Sequence, residues 1–244
     1  MKLAVISDIH SNLEALQVVI EDIQNEQVDK VICCGDIVGY GPNPNKCIRL
    51  IKKQPGLKCV LGNHDAAAIN AISAENFNPT ARASSNWTCK RLTDKNKEFL
   101  QSLPDILETE LGLLVHGSPY DHIMEYLLDI DRAKVNFRLF EGDFCFAGHT
   151  HLPMYFRKFP DGSIEERLIR EDRKKVRLQP RMLCNPGSVG QPRDRNPKAS
   201  FAVIDSEAMT LTYQRVAYDI EKTKLRMAHH KLPIRHITRL EYGW

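Results

Sequence analysis

A chain of 244 residues, 42% apolar and 27% charged, is long enough to bury a sizeable core and reads as one globular domain or two small ones. Asp8 interrupts the N-terminal apolar run too early for a signal-peptide core, and no stretch reaches membrane-span length, so the cytoplasm is the expected compartment and no membrane partner is expected. The net charge is only +3, and the two basic runs, 157–177 and Lys222 to Arg239, also contain acids; they read as solvated faces, which disfavours nucleic acid as a partner.

In chain order, "KLAVIS" is an apolar run of strand length. "SNLEALQVVIEDIQ" follows as a helix, with Leu13, Leu16, Ile20 and Ile23 on one face and Ser11 with Glu14 as a capping box. "KVICCGD" is a second strand, and "KCIRLIKK" a helix with Asn43 as N-cap and Pro44 in its first turn. "KCVLGNHD" is a third strand, and this rhythm predicts βαβ units of a largely parallel sheet. A helical segment is expected at about 66–103, held to the body by Trp87, Leu92 and Phe99. "LGLLVHG" and "FCFAGHTH" are further strands. "MYFRKFPDGSIEERLI" reads as a hairpin turning at Asp161 and Gly162, and "SFAVIDSEAMTLTYQRV" as one turning near Glu207. The seven cysteines include no C-x-x-C pair and fit buried, reduced thiols. With no repeat or linker in view, the expectation is one α/β domain over 1–244.

The apolar strands end in residues able to hold a metal ion. Asp8 and His10 follow the first, Asp36 the second, Asn63 and His64 the third, His116 a later one, and His149 with His151 the last of the series. Carboxyl ends of strands form the ligand-binding rim of α/β sheets, so these residues are expected to converge. The pairs Asp8/His10 and His149/His151 are two apart and would project to one side of extended backbone. Asp8, Asp36, Asn63, His10, His116, His149 and His151 make a nitrogen and oxygen set without thiolate, suited to Mn, Fe, Zn, Co or Ni. Seven ligands exceed the needs of one ion, whereas two ions roughly 3.5 to 4 Å apart would use them and clamp an in-line phosphoryl displacement.

The ordered motifs "SDIH", "CGDIVGYG", "LGNHD", "LLVHGS" and "AGHTH", spanning 5 to 151, resemble those of the calcineurin-like metallophosphoesterases. "NPGSVGQPRD" at 185–194 extends the likeness to the small bacterial and archaeal phosphodiesterase branch. The resemblance implies a four-layer αββα sandwich of two mixed sheets flanked by helices. It assigns Asp8, His10, Asp36 and His151 to one metal, and Asp36, Asn63, His116 and His149 to the other, with manganese first among the candidates. It also makes a hydroxide between the metals the nucleophile, His64 the general acid, and Asp65 the group that orients His64 and raises its pKa.

Protein phosphatases with similar motifs carry arginines after G-D and before G-N-H-E, where this chain has "IVGYG" and Leu61. Arg193 and Ser188 are the replacement candidates for holding phosphate. Tyr120, His122 and Trp87 are read as packing residues rather than pocket lining. The expected activity is hydrolysis of phosphodiester or phosphoanhydride bonds in a small nucleotide. A dinucleoside polyphosphate (diadenosine tetraphosphate) hydrolase is the near alternative, and a metal-binding protein-interaction scaffold the distant one.

Overall fold

The first apolar run forms β1 (Lys2–Ile6) and sends alternate residues to opposite faces, Ala4 and Ile6 toward helices, Leu3 and Val5 toward a second sheet. The structure is a computed structural model and describes residues 1–244. β1 sits inside a six-stranded sheet of order β3 (Lys58–Cys59), β2 (Lys30–Cys33), β1, β11 (Ala199–Asp205), β12 (Thr210–Val216) and β9 (Arg173–Arg177). The second sheet has the order β4 (Ile106–Thr109), β5 (Gly112–Val115), β6 (Phe144–Phe146), β10 (Met182–Pro186), β7 (Pro153–Lys158) and β8 (Ile164–Leu168).

Only β1, β2 and β3 in one sheet, and β5, β6 and β10 in the other, run parallel to their neighbours in the group. The βαβ rhythm does yield parallel neighbours in β1, β2 and β3, and the two mixed sheets implied by the family resemblance form because the later hairpins add antiparallel strands to both. Their turns lie where expected, with Lys158 paired to Ile164 and Asp205 to Thr210.

Three apolar layers hold four structural layers together. Leu16, Val19 and Ile23 of α1 (Leu13–Asn25), Ile48 of α2 (Pro44–Ile51) and Leu100 of α5 (Asp94–Gln101) cover the outer face of the first sheet. Leu3, Val5, Ile32, Phe146, Met182 and Tyr213 fill the space between the sheets. Ala133 of α6 (Ile130–Asn136) and the adjoining Phe137 cover the second sheet with Val115, Phe156 and Leu183. Each fully buried side chain of this size contributes roughly 1.5–3 kcal/mol. The clamped sheets are thus the rigid body from which the strand-end loops project.

The helical segment resolves into α3 (Asn63–Ala68), a short 3₁₀ turn, α4 (Pro79–Cys89) and α5. The basic tail, read as a solvated run, folds into α7 (Ile220–His229) and α8 (Ile234–Tyr242), which pack through Met227, Leu232, Ile237 and Leu240 with Trp87 against them. The capping box at Ser11 and Glu14 does not form. Asn12 caps α1, accepting from the Ala15 N–H at 3.2 Å, while Glu14 pairs with Arg226 of α7. All seven cysteines are unpaired and only Cys89 is partly exposed. Tyr120 is 68% exposed and His122 faces Asp105 at 3.3 Å near the surface, so neither packs in the core as expected. No helix is long and apolar enough to cross a membrane.

Candidate metal centre

Loops leaving the parallel strands of both sheets meet at one edge and are laced together by backbone hydrogen bonds. The Asp8 N–H donates to the Gly35 carbonyl at 3.0 Å, His10 to Asp36 at 2.9 Å, Gly148 to His116 at 2.8 Å and Val189 to Ser7 at 3.0 Å. Through these bonds irregular loops satisfy their buried peptide groups and inherit the rigidity of the sheets.

Two clusters of side chains result, Asp8 with His10 and His151, and Asp36 with His116 and His149, every member buried. Asn63 joins the second cluster, its Oδ1 lying 3.0 Å from His116 Nε2. Asp36 lies between the two: its Oδ2 is 3.6 Å from His10 Nε2 and 3.4 Å from His116 Nε2. Its Oδ1 accepts the His64 N–H at 2.8 Å. Asp8 Oδ1 is buried without a hydrogen-bond partner and lies 3.3 Å from His151 Nε2.

The four clustered imidazoles share one arrangement. His10 Nδ1 faces the Val38 carbonyl at 3.2 Å, His116 Nδ1 that of Cys34 at 2.7 Å, and His151 Nδ1 that of Gln191 at 2.5 Å, while His149 Nε2 faces the Met124 carbonyl at 3.2 Å. A carbonyl can only accept, so each of these nitrogens carries hydrogen and the other ring nitrogen is turned inward. Backbone carbonyls that fix tautomer and ring orientation in this way are what metal-ligating histidines require around them. Inward nitrogens of His10 and His151 stand 3.1 Å apart, and those of His116 and His149 3.2 Å apart. The facing lone pairs of His10 and His151 repel unless a cation is shared, and between His116 and His149 a proton on His116 fills the place that a metal would take, so the residues present fit divalent metal ions.

Charge follows the same logic. Burial keeps His10, His149 and His151 well below the usual histidine range and therefore neutral. Burial also pushes Asp8 up to about 7. At His116 burial works against the proton, but the Asp36 carboxylate outweighs it and holds the ring up to about 10. Asp36 is held well below the carboxylate range because His116 and His64 overcome its burial.

The backbone departs from the extended geometry expected of the two-apart pairs. Asp8, His10, Asp36, His149 and His151 all have left-handed φ, between 47° and 65°. Left-handed backbone costs roughly 1–2 kcal/mol per residue for most side chains, and strain of this kind concentrates at functional sites. Close approach is also demanding: a Cβ on Gly62 would lie 2.1 Å from Asp36 Oδ1, so only glycine lets the third-strand loop come this near the central carboxylate.

The remaining expectations fare unevenly. His64 lies beside the clusters at the start of α3, its ring 5.2 Å from that of His10 and its Nδ1 3.3 Å from Ser85 Oγ. Asp65 does not orient it. The Asp65 carboxylate accepts backbone N–H groups of Ile37, Val38 and Gly62 at 3.1, 2.9 and 3.2 Å, so it ties two loops together. Nor is the His64 pKa raised; burial lowers it to about 4 against the pull of Asp36. Ser188 is fully buried, donating to the Asp8 carbonyl at 2.8 Å and accepting from the Gln191 N–H at 2.8 Å, which makes it a loop brace rather than a substrate contact. Arg193 does stand at the site, its N–H 3.4 Å from the His151 carbonyl and its Nη2 3.4 Å from the Tyr40 hydroxyl. The sequence reading missed Tyr40, whose ring lies 4.2 Å from His10 and 4.3 Å from His64, and Tyr126, 3.8 Å from His149. The "GYG" beside the G-D motif was the available clue for Tyr40.

Strand-end loops of two mixed sheets presenting paired Asp/His clusters define a metallophosphoesterase, and the chain belongs to the calcineurin-like phosphoesterase superfamily, whose domain model matches residues 1–209. It is a hydrolase of that metal-dependent family. An uncharacterized protein of Methanocaldococcus jannaschii is 40% identical over 239 residues, covering 95% of this chain and 93% of the relative. The crystal structure of a metallophosphoesterase from Sphaerobacter thermophilus is 38% identical, covers both chains completely and superposes with a TM-score of 0.90. A hypothetical protein from Pyrococcus horikoshii, 23% identical, shares the fold with a TM-score of 0.83 over 100% of this chain and 98% of its own.

Proposed function

We propose that the protein hydrolyses phosphodiester or phosphoanhydride bonds of a small nucleotide, using two divalent ions of which manganese is the first candidate and Fe, Zn, Ni and Co the others. The observation that carries this reading is the common orientation of His10, His116, His149 and His151, each donating outward to a backbone carbonyl and turning its other nitrogen into the cluster that holds Asp8 or Asp36. Two such ions supply Lewis acidity toward phosphoryl oxygens and a water acidified for attack. Asp8, His10 and His151 would hold one, Asn63, His116 and His149 the other, and Asp36 both.

His64, steadied by Ser85, would protonate the leaving oxygen. It is neutral at pH 7 in the free protein, and an anionic phosphoryl group bound beside it would raise its pKa toward that task. Arg193 supplies the phosphate contact that arginines at the G-D and G-N-H-D motifs would otherwise provide. In this reading the chain works as a single domain over 1–244, because α7 and α8 wall the same site, and its seven unpaired thiols suit a reducing cytoplasm.

Purified protein reconstituted with Mn, Ni, Co or Mg is to be assayed on nitrophenyl phosphate, bis(nitrophenyl) phosphate and a dinucleoside polyphosphate. Metal-dependent turnover with kcat/KM higher for the diester or polyphosphate than for the monoester is expected. A monoester dianion ranking first would refute the bond-type reading, and no turnover with any metal would refute the activity.

A further inference from the structure

Residues beyond the matched family segment build one wall of the metal centre. α8 brings His236 and Arg239, three apart on one helical face, to the side of the site occupied by Tyr40. His236 is 1% exposed, its ring 4.3 Å from that of Tyr40, and neither of its ring nitrogens has a hydrogen-bond partner. Arg193 approaches from the β10–β11 loop and touches the Tyr40 hydroxyl. The Nε atoms of Arg193 and Arg239 are both buried and unpartnered.

Backbone contacts fix the two arginines relative to each other. Gly243 closes α8 in the left-handed region at φ 66°, its N–H donating to the Arg239 carbonyl at 2.9 Å. The Gly243 carbonyl accepts the Arg195 N–H at 2.7 Å, and a Cβ at 243 would lie 2.6 Å from the backbone of Asn196. The end of α8 is therefore seated on the loop that carries Arg193, and the Arg193 N–H in turn reaches the carbonyl of His151.

Neither guanidinium has a carboxylate partner. Asp194, next to Arg193, is taken by Arg215 through two contacts; Glu241, near Arg239, pairs with Lys224 at 3.1 Å. Burial and then the nearby Arg193 pull Arg239 below its usual range. Like charges held together in a part-buried place, with the nearby acids engaged elsewhere, call for an anion, and the planar guanidinium fork matches phosphate.

We infer that Arg193 and Arg239, walled by Tyr40 and His236, bind a phosphoryl group adjacent to the one at the metal centre, so that the substrate carries at least two neighbouring phosphates. This narrows the phosphoesterase reading, on which it rests, to nucleoside polyphosphates and related phosphoanhydrides.

Metal-loaded wild type, Arg193→Gln, Arg239→Gln and Arg239→Lys are to be titrated by calorimetry with methylenediphosphonate and methylphosphonate, neither of which can be hydrolysed. Wild type should prefer the diphosphonate. Arg239→Gln and Arg193→Gln should each cut that preference by about tenfold, the worth of a charge-assisted contact, and Arg239→Lys by less. Thermal unfolding of each variant monitors folding; if Arg239→Gln is unfolded, the comparison of Arg193→Gln and Arg239→Lys with wild type decides. A preference unchanged in the folded variants, or absent from wild type, overturns the arginine pair. Bis(nitrophenyl) phosphate turnover is measured in parallel on wild type. Its absence beside an arginine-dependent preference sinks the phosphoesterase reading and leaves the anion site standing, whereas turnover with an arginine-independent preference sinks the site alone.

Discussion

Asp36→Asn isolates charge from shape at the centre of the site. Asparagine keeps an Oδ1 to accept the His64 N–H, now 2.8 Å from Asp36, so the third-strand loop should stay in place. What disappears is the negative charge whose Oδ2 stands 3.6 Å from His10 Nε2 and 3.4 Å from His116 Nε2, within reach of both clusters. Unit charges 4 Å apart attract by about 4 kcal/mol at an effective dielectric constant near 20, and a divalent ion doubles this to about 8. If three quarters of that is offset by hydration of the free groups, about 2 kcal/mol is lost per ion, roughly thirtyfold in affinity for each. The second ion to bind suffers more, because the carboxylate also offsets repulsion between the two cations. Metal per chain after dialysis, by elemental analysis, should fall from two to one or fewer, with turnover lost. Two ions retained with wild-type affinity would refute the placement of Asp36 between the metals.

Asp65→Asn should act on stability, because its amide would turn a donor toward backbone N–H groups that now meet carboxylate oxygen. Leaving one or two buried donors unpaired costs roughly 2–4 kcal/mol, about 4–16 °C in unfolding midpoint at this chain length; an unchanged midpoint with a shifted pH–rate profile would instead restore Asp65 as the partner of His64. Metal uptake should be linked to protons: His116, held up to about 10 by Asp36 against burial, is protonated at pH 7 in chelated protein and must lose that proton to offer Nε2. Calorimetry in buffers of different ionisation enthalpy should then show more than one proton released at pH 7, one from His116 and part of one from Asp8, which burial holds up to about 7, with affinity weakening by at least about tenfold per unit of falling pH, and release of about half a proton or less would contradict the His116–Asp36 pairing.

The residues of the metal clusters could be read from the chain because each sits in a short motif at the end of an apolar strand, where residue type, glycine neighbour and order are all dictated locally. Their backbone conformation could not. A spacing of two is the same string of letters whether Asp8 and His10 are extended or left-handed, and only the pinning of the His10 N–H to the Asp36 carbonyl, from another loop, selects the second. Asp65 and Ser188 were misread for a related reason. They stand among chemical residues and are polar, but their oxygens pair with peptide groups of loops that have no ladder to satisfy them, a demand that appears only when those loops meet. Tyr40, Ser85, His236 and Arg239 lie further still from local inference. The apolar contacts of His236, Ile237 and Leu240 in α8 were hidden under a basic composition, and Arg239 gains its place only through the seating of Gly243 on the 195–196 backbone. Ligands that hold an ion must come from the most rigid backbone available, here the strand ends, whereas groups that select a substrate can be delivered by any element packed over the rim. The reaction class of this chain is therefore legible in local motifs, whereas the proposed second phosphate contact depends on the packing of α8 against the loop that carries Arg193.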